Sequence, residues 1–134
     1  MLLKGALPKR WSGMATVAAG ALILGYHAAW GISVVSYSAD NDGVTFACDV
    51  GTMKVKICQA DIVRVTYTPT VSFSVTPSLS VNKVFPASSF TTAEAGDTVV
   101  LQTGRLKVKV AKSNALVTYT DPGNAVILSE YDKS

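Results

Sequence analysis

Gly51 to Pro69, GTMKVKICQADIVRVTYTP, decides the fold. Met53, Val55 and Ile57 alternate with Lys54, Lys56 and Cys58. After the polar turn Gln59-Ala60-Asp61, Val63, Val65 and Tyr67 alternate with Arg64, Thr66 and Thr68. Successive side chains of an extended chain point to opposite faces. A period of two with β-branched residues on one side therefore describes a strand with one dry face and one wet face. The stretch predicts a hairpin.

Gly104 to Pro122, GRLKVKVAKSNALVTYTDP, echoes it. Both run from glycine through an apolar residue and Lys-Val-Lys to a turn, then to Val-Thr-Tyr-Thr. A duplicated unit gives this pattern. So do two independent hairpins that each keep one wet face.

Outward from these hairpins, Gly31 to Ser38 predicts a first strand, and Asp40-Asn41-Asp42-Gly43 a turn. Val44 to Val50 predicts a second strand, with Val44, Phe46, Cys48 and Val50 on one face and a turn at Gly51-Thr52. Pro69, Pro77 and Pro86 exclude a helix interior or a central strand between them. That segment predicts extended loop or short edge strands, with Leu79, Val81 and Val84 touching the core. Ala87 to Gly96 predicts a loop with a partial strand at Phe90-Thr91-Thr92. Thr98 to Gln102, Arg105 to Val110, Leu116 to Thr120 and Ala125 to Ser129 complete the set. About nine short strands with these turns predict an all-β fold, an antiparallel β-sandwich.

The first 30 residues differ. Lys4, Lys9 and Arg10 precede an apolar run, Met14 to Leu24, and no Lys, Arg, Asp or Glu occurs from Ser12 to Ala39. This predicts an N-terminal hydrophobic helix that serves as a secretory signal, residues 1–30. An N-terminal membrane anchor is the alternative, if the run continues as a helix over residues 14–35. Gly25, Ala29 and Gly31 are small enough for a cleavage site. Residues 31–134 then form the sandwich domain of a secreted or periplasmic protein.

Of twelve cations, the three in the leader leave nine against nine acids. The neutral body argues against nucleic acid, which demands a basic patch to displace phosphate counterions. The lysine pairs 54/56 and 107/109 read as solvated strand faces.

No catalytic constellation emerges, and no cofactor or metal site. His27 is the only histidine and lies in the leader, so a triad or zinc site built on it fails. Asp40, Asp42, Asp61, Asp97 and Asp121 all fall in turn signals, where Asp caps its own backbone. Cys48 and Cys58 are the only cysteines. Cys48, opposite about residue 55 by turn geometry, falls on the Val44/Phe46 face, and Cys58 on the lysine face, so normal disulfide geometry is out of reach without a bulge. Trp30, Tyr37, Phe73, Phe85, Tyr119 and Tyr131 are the aromatics available to stack on a sugar. Phe85, before Pro86, is the most loop-like of them, and a core plug is its competing role.

Several motifs in order carry a family likeness. Asp42-Gly43-Val44 opens a strand, and Ile62-Val63-Arg64-Val65 follows a short turn. Ser78-Leu79-Ser80-Val81-Asn82-Lys83 precedes an aromatic–proline pair, Thr103-Gly104-Arg105-Leu106-Lys107-Val108 starts a strand, and Leu128-Ser129-Glu130 ends the match. In these the chain resembles the N-terminal domain of glycoside hydrolase family 31, the α-glucosidases and α-xylosidases. The resemblance implies part of a galactose-mutarotase-like β-sandwich packed on a catalytic (β/α) barrel. It also implies a retaining mechanism run by two barrel aspartates that would lie beyond Ser134. No family site residue maps onto this chain. The expectation is a non-catalytic sandwich piece, inactive alone, of a secreted or periplasmic α-glycoside hydrolase. Its implied partners are the downstream barrel of the same polypeptide and an α-linked oligosaccharide. A standalone secreted β-sandwich that binds a glycan or a protein is the alternative.

Overall fold

A computed structural model of the chain describes residues 31–74 and 83–131. The expected N-terminal helix, His27, Trp30, Leu79 and Val81 lie outside the described residues.

Strands β1 (Val34–Ala39), β2 (Gly43–Cys48), β3 (Thr52–Gln59) and β4 (Ile62–Thr68) form a four-stranded antiparallel sheet in that order. Strands β5 (Thr91–Ala95), β6 (Thr98–Gln102), β7 (Lys107–Ala111), β8 (Val117–Thr120) and β9 (Val126–Ser129) form a five-stranded one, again in sequence order. Each sheet is a meander, because every connection within it is a tight turn, and antiparallel neighbours need no crossover.

The alternation sets the register. Val44 pairs with Val55, Phe46 with Met53, and Val55 with Val65, so one face of the first sheet is a continuous apolar row. In the second sheet Val99 pairs with Val110, Leu101 with Val108, and Val110 with Val117. These rows meet in one core, where Val44, Phe46, Val55, Val99, Leu101, Val108, Val110 and Val117 are sealed from solvent. Each such side chain contributes about 1.5–3 kcal/mol on burial. The lysines of β3 and β7 stay on the outer faces.

Two seams join the sheets at their margins. At one, the Val34 amide donates to the Lys112 carbonyl at 2.7 Å, and the Tyr37 hydroxyl to Glu94 Oε2 at 2.7 Å. Lys112 Nζ reaches the same carboxylate at 2.5 Å. At the other, the Thr103 hydroxyl, buried in the β6–β7 turn, donates to the Ala60 carbonyl in the β3–β4 turn at 2.5 Å.

The structure corrects several sequence expectations. Val50 does not share the inner face of β2. The strand ends at Cys48, and Val50 lies in the turn, 56% exposed. Cys48 consequently stands by Gly51, whose carbonyl accepts its amide at 3.0 Å, rather than opposite residue 55. Val84 does not touch the core: it is 92% exposed. The partial strand expected at 90–92 is a full edge strand, Thr91–Ala95. It has no buried apolar row; backbone pairing to β6 builds it, which alternation cannot reveal. The two echoing hairpins fall in different sheets. Val55 pairs with Val65, whereas its counterpart Val108 pairs with Tyr119, so the registers differ and the echo is one of pattern.

Candidate functional site

Two of the five turn aspartates, Asp40 and Asp121, cap backbone within their own turns, and Asp42, Asp61 and Asp97 instead reach partners outside theirs. Asp40 accepts the Asp42 amide at 3.0 Å, and Asp121 accepts the Ala125 amide at 2.8 Å. Asp97 accepts the Ser113 hydroxyl at 2.6 Å, which holds its carboxyl below the usual range. Asp61 pairs loosely with Arg105 at 3.4 Å across the second seam. Asp42 bridges Lys54 at 2.8 Å and Lys56 at 2.7 Å, and these two ammonium groups hold its carboxyl far below the ordinary range. A glycosidase acid must instead be raised, by burial, to keep its proton near neutrality. The environment here pushes the other way. Among the described residues no three His, Cys, Asp or Glu side chains converge as metal ligands.

Both thiols are free. Cys48 packs half-buried against the core, and that burial raises its pKa, which keeps it a thiol. Cys58 is buried on the outer side of the first sheet, beside Lys56 and Arg64. The opposite placement of the two cysteines expected from alternation therefore holds.

The aromatics separate by role. Tyr37 packs its ring 6.0 Å from Phe46 and spends its hydroxyl on Glu94. Tyr119 packs on the core. Phe73 is half-buried, and Tyr131 is 82% exposed. Phe85 is half-buried at the edge of a concavity rather than a core plug, with Lys83 Nζ 5.4 Å from its ring centroid.

That concavity, about 240 Å³, lies on the outer face of the first sheet and is lined by Lys56, Cys58, Arg64, Lys83, Val84 and Phe85. Sequence reasoning placed Lys56 on a wet face but did not join it to Arg64 and Lys83. A signal was present: the chain contains no Asp or Glu between Asp61 and Glu94.

One further feature concerns the edge of the second sheet. All four residues of β9 are exposed, and Val126, Ile127 and Leu128 are each at least 60% so. Natural edges usually carry charge or proline to block pairing. This one carries neither.

The class that fold and site define is an antiparallel two-sheet β unit with no catalytic constellation among its described residues. No protein-family model matches the chain, and no curated protein does either. Solved structures of similar fold include glycoside hydrolases of family 31 and a cycloalternan-forming enzyme. The GH31 dextranase of Flavobacterium johnsoniae aligns at TM-score 0.69 and 19% identity, over 77% of this chain and 13% of that one. The GH31 α-xylosidase of Xanthomonas citri aligns at TM-score 0.62 and 29% identity, over 69% of this chain and 10% of that one. A cycloalternan-forming enzyme of Listeria monocytogenes aligns at TM-score 0.61 and 15% identity, over 78% and 10%. The chain thus spans about a tenth of the length of these enzymes. The likeness to family 31 read from the motifs is borne out. The small matched share fits a piece of the N-terminal domain.

Proposed function

We propose that this chain is a non-catalytic N-terminal sandwich piece of a secreted or periplasmic α-glycoside hydrolase. In this reading residues 31–134 are the domain and residues 1–30 its export signal. The piece supports a catalytic barrel of the same polypeptide and touches α-linked oligosaccharide only at its margin. The observation that carries the reading is the fold match to a small part of several enzymes of one glycosidase family. The uncharged apolar edge β9 supports it, because a strand apolar on both faces is stable beside further protein and a liability in water.

The coding sequence beyond Ser134 tests the proposal. A continuous frame of several hundred residues containing a Trp-x-Asp-Met-Asn-Glu-like strand end upholds it. A genuine stop with no barrel nearby overturns it. Turnover of nitrophenyl α-glucosides or α-xylosides by the purified 134-residue chain would refute the non-catalytic role. N-terminal sequencing of exported protein tests the leader, since an anchor stays attached.

A further inference from the structure

We infer that the concavity under Phe85 is a binding site for a small oxyanion carried on a sugar-sized ring, a carboxylate or a phosphate. The inference goes beyond the accessory role and does not rest on it.

On the outer face of the first sheet, Lys54 and Lys56 are matched by Asp40 and Asp42, two cations against two carboxylates. Arg64 and Lys83 remain. Among the described residues neither makes an ion pair with an acid, and the sequence between Asp61 and Glu94 contains none to offer. Register makes the surplus sharper. Arg64 stands directly across from Lys56 on the β3–β4 ladder, and like charges directly opposite destabilise a sheet. Asp42 already offsets Lys56, so an anion in the concavity would supply the counter-charge that Arg64 lacks.

The three cations do not spread over a flat face; all line one concavity of about 240 Å³. Small-molecule sites run from about 300 Å³ upward. The space therefore takes one ring rather than an oligosaccharide. Lys83 is held at the rim by the face of Phe85, at 5.4 Å from the centroid, a cation–π contact. Phe85 and Val84 supply an apolar wall for the ring, and Arg64 supplies the planar fork that matches a carboxylate or phosphate.

The test is titration of the full isotope-labelled chain with glucuronate, glucose 6-phosphate and glucose, read by amide shifts at Lys56, Arg64 and Phe85. Saturable shifts with either acidic sugar and none with glucose are expected; the tighter of the two identifies the oxyanion. Arg64→Ala, on an exposed edge position, and Lys83→Ala, in a loop, should each weaken binding about tenfold, the loss of one charge-assisted contact. No saturation by either acidic sugar would overturn the inference. So would equal binding of glucose or inorganic phosphate, or an affinity unchanged in both variants.

Discussion

Thr103 is a side chain of the β6–β7 turn that reaches the other sheet directly, and replacing it measures what that seam is worth. It is 4% exposed. Its hydroxyl donates to the Ala60 carbonyl and accepts the Leu106 amide at 2.9 Å and the Arg105 amide at 3.2 Å. The same atom thus closes the β6–β7 turn and fastens it to the β3–β4 turn. Thr103→Val keeps the shape and removes the polar atom. The Ala60 carbonyl and the Leu106 amide then lose their side-chain partner in a site with little water. Each orphaned buried group costs about 1–3 kcal/mol. Some solvent reaches the half-buried Leu106, so about 2–4 kcal/mol is expected in all. That is a large share of the roughly 5–15 kcal/mol available to a domain. In urea, with a slope of about 2 kcal/mol per molar, the midpoint should fall by about 1–2 M at unchanged slope. Thr103→Ser keeps the hydroxyl and loses one methyl, for about 1 kcal/mol. A valine variant within about 0.5 kcal/mol of wild type, the scatter of neutral surface changes, would refute the reasoning. A serine variant as damaged as the valine one would do the same. The neighbouring Arg105–Asp61 pair, 74% and 55% exposed, is expected to contribute little to the seam.

Two other substitutions separate strain from space. Gly51 has φ +82°, and an added Cβ would lie 2.1 Å from the Thr68 carbonyl oxygen, so Gly51→Ala must shift backbone and should cost well over about 2 kcal/mol in thermal unfolding. Gly96 has φ +59° with open space around it, so Gly96→Ala should cost only about 1 kcal/mol; equal losses would show that φ alone governs both sites. Asp42 titrates far below its unfolded value because Lys54 and Lys56 hold its charged form. Its contribution is therefore complete above the unfolded pKa of about 3.9 and lost as pH falls further. Asp42→Asn should flatten the stability profile below about pH 4. It should cost no more than about 1 kcal/mol at neutral pH, since the carboxylate is 33% exposed and screened. An acid limb that persists unchanged in the variant would assign that limb to other groups.

The architecture was legible wherever one face of a strand is dry. Val55 against Lys54 and Val108 against Lys107 declare their faces by chemistry alone, because a one-residue slip would bury lysines. The turns were legible for a similar local reason: Asp121-Pro122-Gly123-Asn124 has few other conformations to adopt. Strand β5 was less legible. Its residues, Thr-Thr-Ala-Glu-Ala, bury almost nothing, and its backbone pairing to β6 leaves no trace in composition. Val50 and Val84 misled because apolar character marks a residue that can be buried, not one that is. Only the chain's path settles that.

The candidate site divides along the same line. That Asp40 and Asp121 cap turns was readable from sequence, whereas the lysine pair that holds Asp42 low was not. That Lys56, Arg64 and Lys83 converge was not. The first two are brought together by the register of β3 on β4, and the third by a loop arriving from a residue remote in sequence. The echo between Gly51–Pro69 and Gly104–Pro122 shows the limit most plainly. By itself the sequence determined that both stretches are hairpins with one wet face, because side-chain alternation is a property of each strand. Only the tertiary structure decided that they lie in opposite sheets with different registers, because pairing and packing depend on partners that no local pattern names.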